Sequence, residues 1–141
     1  MFDELNSYKD NDHFFFSSHE SLAEKCNAPA NKSGVYIIYA LARGKIELVY
    51  IGSSGKIQNN GKLKNREGGL FDLIVNGKQF GEARKKSWPK KLDAEQIDAL
   101  DIYWYNTLND EVQDIPSYVE AILIQKHFEI YGNLPKWNTE F

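Results

Sequence analysis

The chain has 141 residues, 42% hydrophobic and 26% charged, with a net charge of −3, one cysteine and no apolar run of membrane-spanning length. This composition fits one globular domain with a real core and excludes a disordered chain or a helical membrane span. The lone Cys26 rules out an intramolecular disulfide, suits a reducing compartment and reads as structural rather than nucleophilic.

Residues 1–33 read as an N-terminal accessory segment. Its opening, MFDELNSYKDND, is acidic and polar, unlike a secretory signal, so the expectation is a cytoplasmic protein with no membrane partner. Phe14-Phe15-Phe16 is expected to pack onto the domain. Ser17 or Ser18 is the candidate cap of a short helix through Ser21–Cys26, and Asn27–Ser33, which contains Pro29, breaks it. His13 and His19 lack metal-site spacing and read as surface residues.

Two runs rich in Val, Ile and Tyr follow, Val35–Leu41 and Ile46–Ile51, joined by Ala42-Arg43-Gly44-Lys45. That pattern predicts an antiparallel hairpin. Each strand carries a Tyr beside a Gly, in Gly34-Val35-Tyr36 and Tyr50-Ile51-Gly52, and pairing brings the two phenols towards one end of the hairpin. The same composition also fits a plain hairpin whose tyrosines fill a core. The two tripeptides and the hairpin between them resemble the signature of the GIY-YIG nuclease superfamily, with Val in place of the first Ile.

After a loop of Ser, Gly, Asn and Lys, the family's Leu-x-x-Arg setting has two registers here. Leu63-Lys64-Asn65-Arg66 fits literally and gives Arg66; a helix beginning at Gly69 or Leu70 instead puts Leu73 at the arginine position. Asn76–Gly81 ends that helix in a turn. Arg84-Lys85-Lys86-Ser87-Trp88-Pro89-Lys90-Lys91 then reads as a loop with five cations and one stacking surface, and Ala94–Ala99 as a brief helix. Leu100–Leu108 reads as a third strand, with Ile102, Trp104 and Asn106 on one face.

Pro116 is placed to begin a helix running to Tyr131. On its wheel Glu120 falls inside the apolar sector between Leu123 and Ile124, and His127 faces the same side. A carboxylate there needs a partner, a cation or a water-filled cleft.

The fold expected is therefore α+β: a small, mainly antiparallel three-stranded sheet from 34–41, 46–52 and 100–108, flanked by helices near 69–76 and 116–131. By this resemblance, residues 34–141 are expected to form the nuclease-like domain. The resemblance, which spans about residues 34–138, implies a DNA endonuclease with a single Mg²⁺ or Mn²⁺ on Glu120. It implies Tyr50 as a general base beside Tyr36, Arg66 as the phosphate-binding arginine, and Asn138 orienting Glu120 or a phosphate oxygen. A free tyrosine, near pKa ~10, is a poor base at neutral pH. A cation beside it, from Arg66, Lys62 or Lys56, must favour the phenolate.

The charge distribution supports a polyanionic partner. Residues 56–91 hold ten Lys/Arg against three Asp/Glu, whereas 92–141 hold two against ten. One basic face between acidic flanks gives DNA a single landing surface. Lys56, Lys62, Arg84, Lys85 and Lys86 are the expected phosphate contacts, and Trp88 the stacking platform. With residues 1–33 as the only extension, sequence specificity is expected from loops or from a homodimer. Two other readings follow from the residues: a catalytically impaired nucleic-acid-binding module of the same fold, motivated by Leu73, and a protein-interaction domain with an acidic partner.

Overall fold

The computed structural model describes residues 1–141. A 3₁₀ turn over Asp3–Ser7 leads into β1 (Asn11–Phe16) and a single helical turn, α1 (Leu22–Lys25). The hairpin strands β2 (Gly34–Ala42) and β3 (Lys45–Ser54) come next, then a short ribbon of β4 (Lys56–Ile57) and β5 (Leu63–Lys64). Helix α2 (Gly69–Asn76) is joined through a second ribbon, β6 (Lys78–Gln79) and β7 (Glu82–Ala83), to α3 (Arg84–Glu95). Strand β8 (Ala99–Asn106) and helix α4 (Pro116–Tyr131) complete the chain.

The architecture is α+β, built on a four-stranded antiparallel sheet in the order β1-β8-β2-β3. The hairpin turns at Arg43 and Gly44, whose φ angles of 53° and 70° are those of a two-residue turn matching the twist of its strands. A bulge at Ile38/Tyr39 shifts the register, so Ile38 faces Tyr50 while Tyr39 faces Leu48. Helix α4 starts on Pro116 and stops at Gly132, whose φ is 73°.

Several expectations are corrected. The sheet has a fourth strand, because residues 11–16 pair along β8 and send Phe14 and Phe16 into the core while Phe15 stays exposed. Ser21, not Ser17 or Ser18, caps α1 by accepting from the Glu24 N–H. The basic stretch 84–91 is helix rather than loop, and Pro89 lies inside it. No separate helix follows at 94–99: α3 ends at Glu95, Gln96 is left-handed, and β8 begins at Ala99.

Both faces of the sheet are covered. On one, Phe16, Tyr36, Ile38, Leu100 and Ile102 pack with Leu70 and Ile74 of α2 and Trp88 and Leu92 of α3. On the other, Val35, Ile37 and Ile51 pack with Val119, Leu123 and Ile124 of α4 and with Leu5 and Tyr8. The C-terminal tail guards the free edge of β3: the Trp137 N–H donates to the Val49 carbonyl. No helix is long and apolar enough to cross a membrane.

Candidate active site

Tyr36 pairs with Gly52 across the hairpin, and Tyr50 lies one step along the same face. Their rings tilt together, with centroids 5.8 Å apart. Gly52 makes this possible: a Cβ there would lie 2.6 Å from the Tyr36 Oη and 2.8 Å from the Tyr50 ring. Tyr36 is fully buried and Tyr50 half-buried. Burial raises the Tyr36 phenol well above its ordinary pKa, although the nearby Arg84 charge pulls the other way, so Tyr36 remains a neutral hydroxyl.

The arginine over these rings is Arg84, not Arg66. Its guanidinium carbon sits 5.2 Å from the Tyr36 centroid, 5.3 Å from Tyr50 and 5.4 Å from Trp88. Arg84 Nε donates to Gln79 Oε1 at 3.0 Å, and Nη1 to the Leu73 carbonyl at 3.0 Å. Gly77 leaves room for this approach, since a Cβ there would lie 2.2 Å from the Leu73 carbonyl oxygen and 3.2 Å from Nη1. Arg84 is only 3% exposed, yet it pairs with no carboxylate. A guanidinium is always charged, and a buried one without a counter-ion is held at a cost.

Arg66 is engaged elsewhere. Its Nε and Nη2 both donate to Asp72 Oδ2, at 3.1 and 2.9 Å. It lines an open cleft of about 290 Å³ with Ser53, Ser54, Gly55, Lys56, Lys64, Asn65 and Leu73. Lys62 stands at the turn of the ribbon, outside this cleft.

Glu120 reaches the same neighbourhood from the other side. It is half-buried on α4, and Ser53 Oγ donates to its Oε1 at 2.5 Å. Desolvation raises its pKa, and the Ser53 hydrogen bond only partly offsets that. No hydrogen bond or ion pair joins Glu120 to Tyr36, Tyr50 or Arg84. Neither Arg84 nor Glu120 lines the cleft, but each bonds a residue that does: Ser53 donates to Glu120, and Leu73 accepts from Arg84.

The remaining candidates divide sharply. Asn138 forms no hydrogen bond with Glu120; its side-chain oxygen accepts from the Ile51 N–H and its amide donates to the Ile51 carbonyl, both at 3.0 Å. It clamps the middle of Tyr50-Ile51-Gly52 and has its polar atoms spent on that task. Trp88 is no stacking platform: it is 0% exposed and its Nε1 donates to Gln79 Oε1. His127 is buried against the Asn133 carbonyl rather than beside Glu120. Lys85 and Lys86 are exposed and unpaired on α3, whereas Lys90 pairs with Glu82 and Lys91 with Glu95.

Sequence reasoning missed the place of Arg84 and the roles of Gln79, Ser53 and Ser54. A signal existed for the first: Arg84 and Trp88 are four apart, and on a helix they share one face. Gln79 gave none, because a glutamine in a Gly-flanked turn reads as solvated.

No group of three or more His, Cys, Asp or Glu side chains is arranged to hold a metal. Glu120 alone fits a hard divalent cation in one respect: it is a desolvated carboxylate whose single charge has no cationic partner, and Ser53 adds a second oxygen. Comparison with family models, with curated proteins and with solved structures gives no match to this chain.

Proposed function

We propose that the chain is a metal-dependent DNA endonuclease that hydrolyses phosphodiester bonds at the cleft whose Ser53 bonds Glu120 and whose Leu73 bonds Arg84. The observation that carries this reading is Arg84 itself. A buried, permanently charged guanidinium is stacked on two tyrosines and lacks an acidic partner. A phosphate oxygen is the anion such a group suits, because charge-assisted N–H donors match it in charge and geometry.

In this reading Arg84 takes the arginine role from α3, and Leu73 in the α2 register contributes only its carbonyl. Arg84 binds the phosphate and stabilises the charge that builds on it. Tyr50, the more accessible tyrosine, orients the attacking water and accepts its proton. Tyr36, neutral and buried, fixes the ring stack from below. The water oxygen bonds to phosphorus, one ester P–O bond breaks, and the leaving oxygen takes a proton from solvent. Glu120 and Ser53 would hold Mg²⁺ or Mn²⁺, which would neutralise charge on the phosphoryl and leaving oxygens. Asn138 acts on Tyr50 through the backbone of Ile51.

One observation favours a second reading, a nucleic-acid-binding module without cleavage: Glu120 bonds only Ser53 and lies on the helix that covers the opposite face. Plasmid DNA with Mg²⁺ or Mn²⁺ separates the two. Nicking that is lost in Arg84→Ala and in Glu120→Ala is the result expected. Salt-sensitive binding with no nicking would instead assign the module.

A further inference from the structure

The β4–β5 ribbon places two cations where they repel. Lys56 and Lys64 are direct cross-strand partners in a ladder of only two pairs. Like charges in that relation are destabilising, and neither ammonium forms an ion pair. Both line the cleft, which contains no acidic residue.

A second, independent feature lies beside them. Ser54 is 6% exposed and lines the same cleft, yet its hydroxyl has no hydrogen-bond partner. Buried hydroxyls are normally satisfied, so this one has a donor to spare. Only Leu73 among the eight lining residues is apolar, and none is aromatic. The cleft therefore offers nothing for a nucleobase to stack on.

We propose that Lys56, Lys64 and Ser54 form a phosphate clamp separate from Arg84, which holds a neighbouring phosphate group without reading sequence. Its anion chemistry stands on these residues alone. Its assignment to a DNA strand rests on the nuclease reading. An anion between the two ammonium groups converts their repulsion into two attractions, and the Ser54 O–H gains its acceptor.

The test uses the full chain, melted and followed by backbone-amide NMR at matched ionic strength. The probes are chloride, inorganic phosphate and a short oligonucleotide without terminal phosphates. Phosphate or oligonucleotide should shift the amides of residues 53–56 and 64–66 and raise the melting temperature. Lys56→Gln with Lys64→Gln should weaken that binding about tenfold or more, one charge-assisted bond being worth roughly that factor. The same double variant should melt higher in chloride, where only the repulsion is removed. Ser54→Ala should weaken phosphate binding too; higher stability with unchanged binding would remove Ser54 from the clamp. Response to inorganic phosphate makes the free anion sufficient, and response to the oligonucleotide alone makes the strand diester the ligand. Silence towards both probes, or unchanged affinity in the double variant, overturns the proposal. Plasmid nicking measured in parallel keeps the readings apart. Nicking without a phosphate response sinks the clamp alone, and a phosphate response without nicking sinks the nuclease alone.

Discussion

Arg84 and Glu120 are opposites placed on the two layers that cover one sheet. The arginine is buried among aromatic rings, tied to a glutamine oxygen and a backbone carbonyl, with no anion. The glutamate is half-buried, tied to one serine hydroxyl, with no cation. Each side holds its charge with neutral dipoles where a structural pair would use a counter-ion. A fold selected only for stability would satisfy both charges or replace them, since apolar substitutes for buried ions are often neutral or stabilising. Two uncompensated charges of opposite sign, each bonded to a residue that lines one cleft, are what a site for a phosphate and a cation requires.

The contrast breaks most visibly at Arg84. Arg84→Ala should lower the nicking rate by about a thousandfold or more, the scale of removing an arginine that stabilises phosphoryl transfer. Arg84→Lys should recover little, because an ammonium lacks the planar fork. A variant that nicks within a few-fold of wild type would show that the guanidinium only packs the tyrosines.

Trp88 tests the same side without touching its charge. Because the indole is fully buried between the sheet and α3, Trp88→Ala should destabilise the fold by about 3–5 kcal/mol. Denaturant unfolding measures this directly. A stable Trp88→Ala variant with weakened single-strand binding would restore the stacking role that burial removes.

On the opposite layer the expected effect is smaller and opposite in sign. Burial raises the Glu120 pKa above its unfolded value, so the native state keeps a proton that the unfolded chain has released. Stability therefore falls as pH rises through that window, and the penalty is fully present above it. Glu120→Gln should melt higher than wild type at neutral pH while abolishing nicking. Its advantage should vanish as pH falls below the ordinary glutamate range. Mg²⁺ should raise the melting temperature of wild type and not of Glu120→Gln. A Glu120→Gln variant less stable than wild type at neutral pH would mean that the carboxylate is a structural acceptor for Ser53 and nothing more.

The hairpin, α2, β8 and α4 were legible because their signals are local: Val/Ile/Tyr runs around a two-residue turn, the mostly apolar run Leu70–Val75 after paired glycines, and Pro116 opening a long apolar run. Strand β1 was not, because three consecutive phenylalanines hide the alternation that sends Phe14 and Phe16 in and Phe15 out. Helix α3 was hidden by Pro89 and a run of cations, both of which read as loop. Tyr36, Tyr50 and Glu120 announced themselves by residue type and register. Arg84 did not, since its position over the tyrosines depends on the turn at 77–83 folding back to carry it there. The sequence marks a turn at Asn76–Gly81 but not the direction in which the chain returns.

The smallest effect concerns the basic helix. Lys85, Lys86, Lys90 and Lys91 look equivalent in sequence, but α3 divides them. Lys90 and Lys91 are spoken for by Glu82 and Glu95, while Lys85 and Lys86 are exposed and unpaired. If α3 faces DNA, neutralising Lys85 and Lys86 should weaken binding alike at all sequences, because lysine–phosphate attraction carries no base information. Every phosphate that goes unneutralised should lower the log–log salt slope by about 0.9 on duplex DNA. Lys90→Gln with Lys91→Gln should change the slope far less, since those charges are already partly neutralised. Neither pair should shift stability by more than about 0.5 kcal/mol, as expected for exposed side chains. The measurement is a salt titration of binding for wild type and both double variants. Equal slopes in all three would take Lys85 and Lys86 off the DNA face, leaving Arg84 and the cleft as the whole of the phosphate-binding surface.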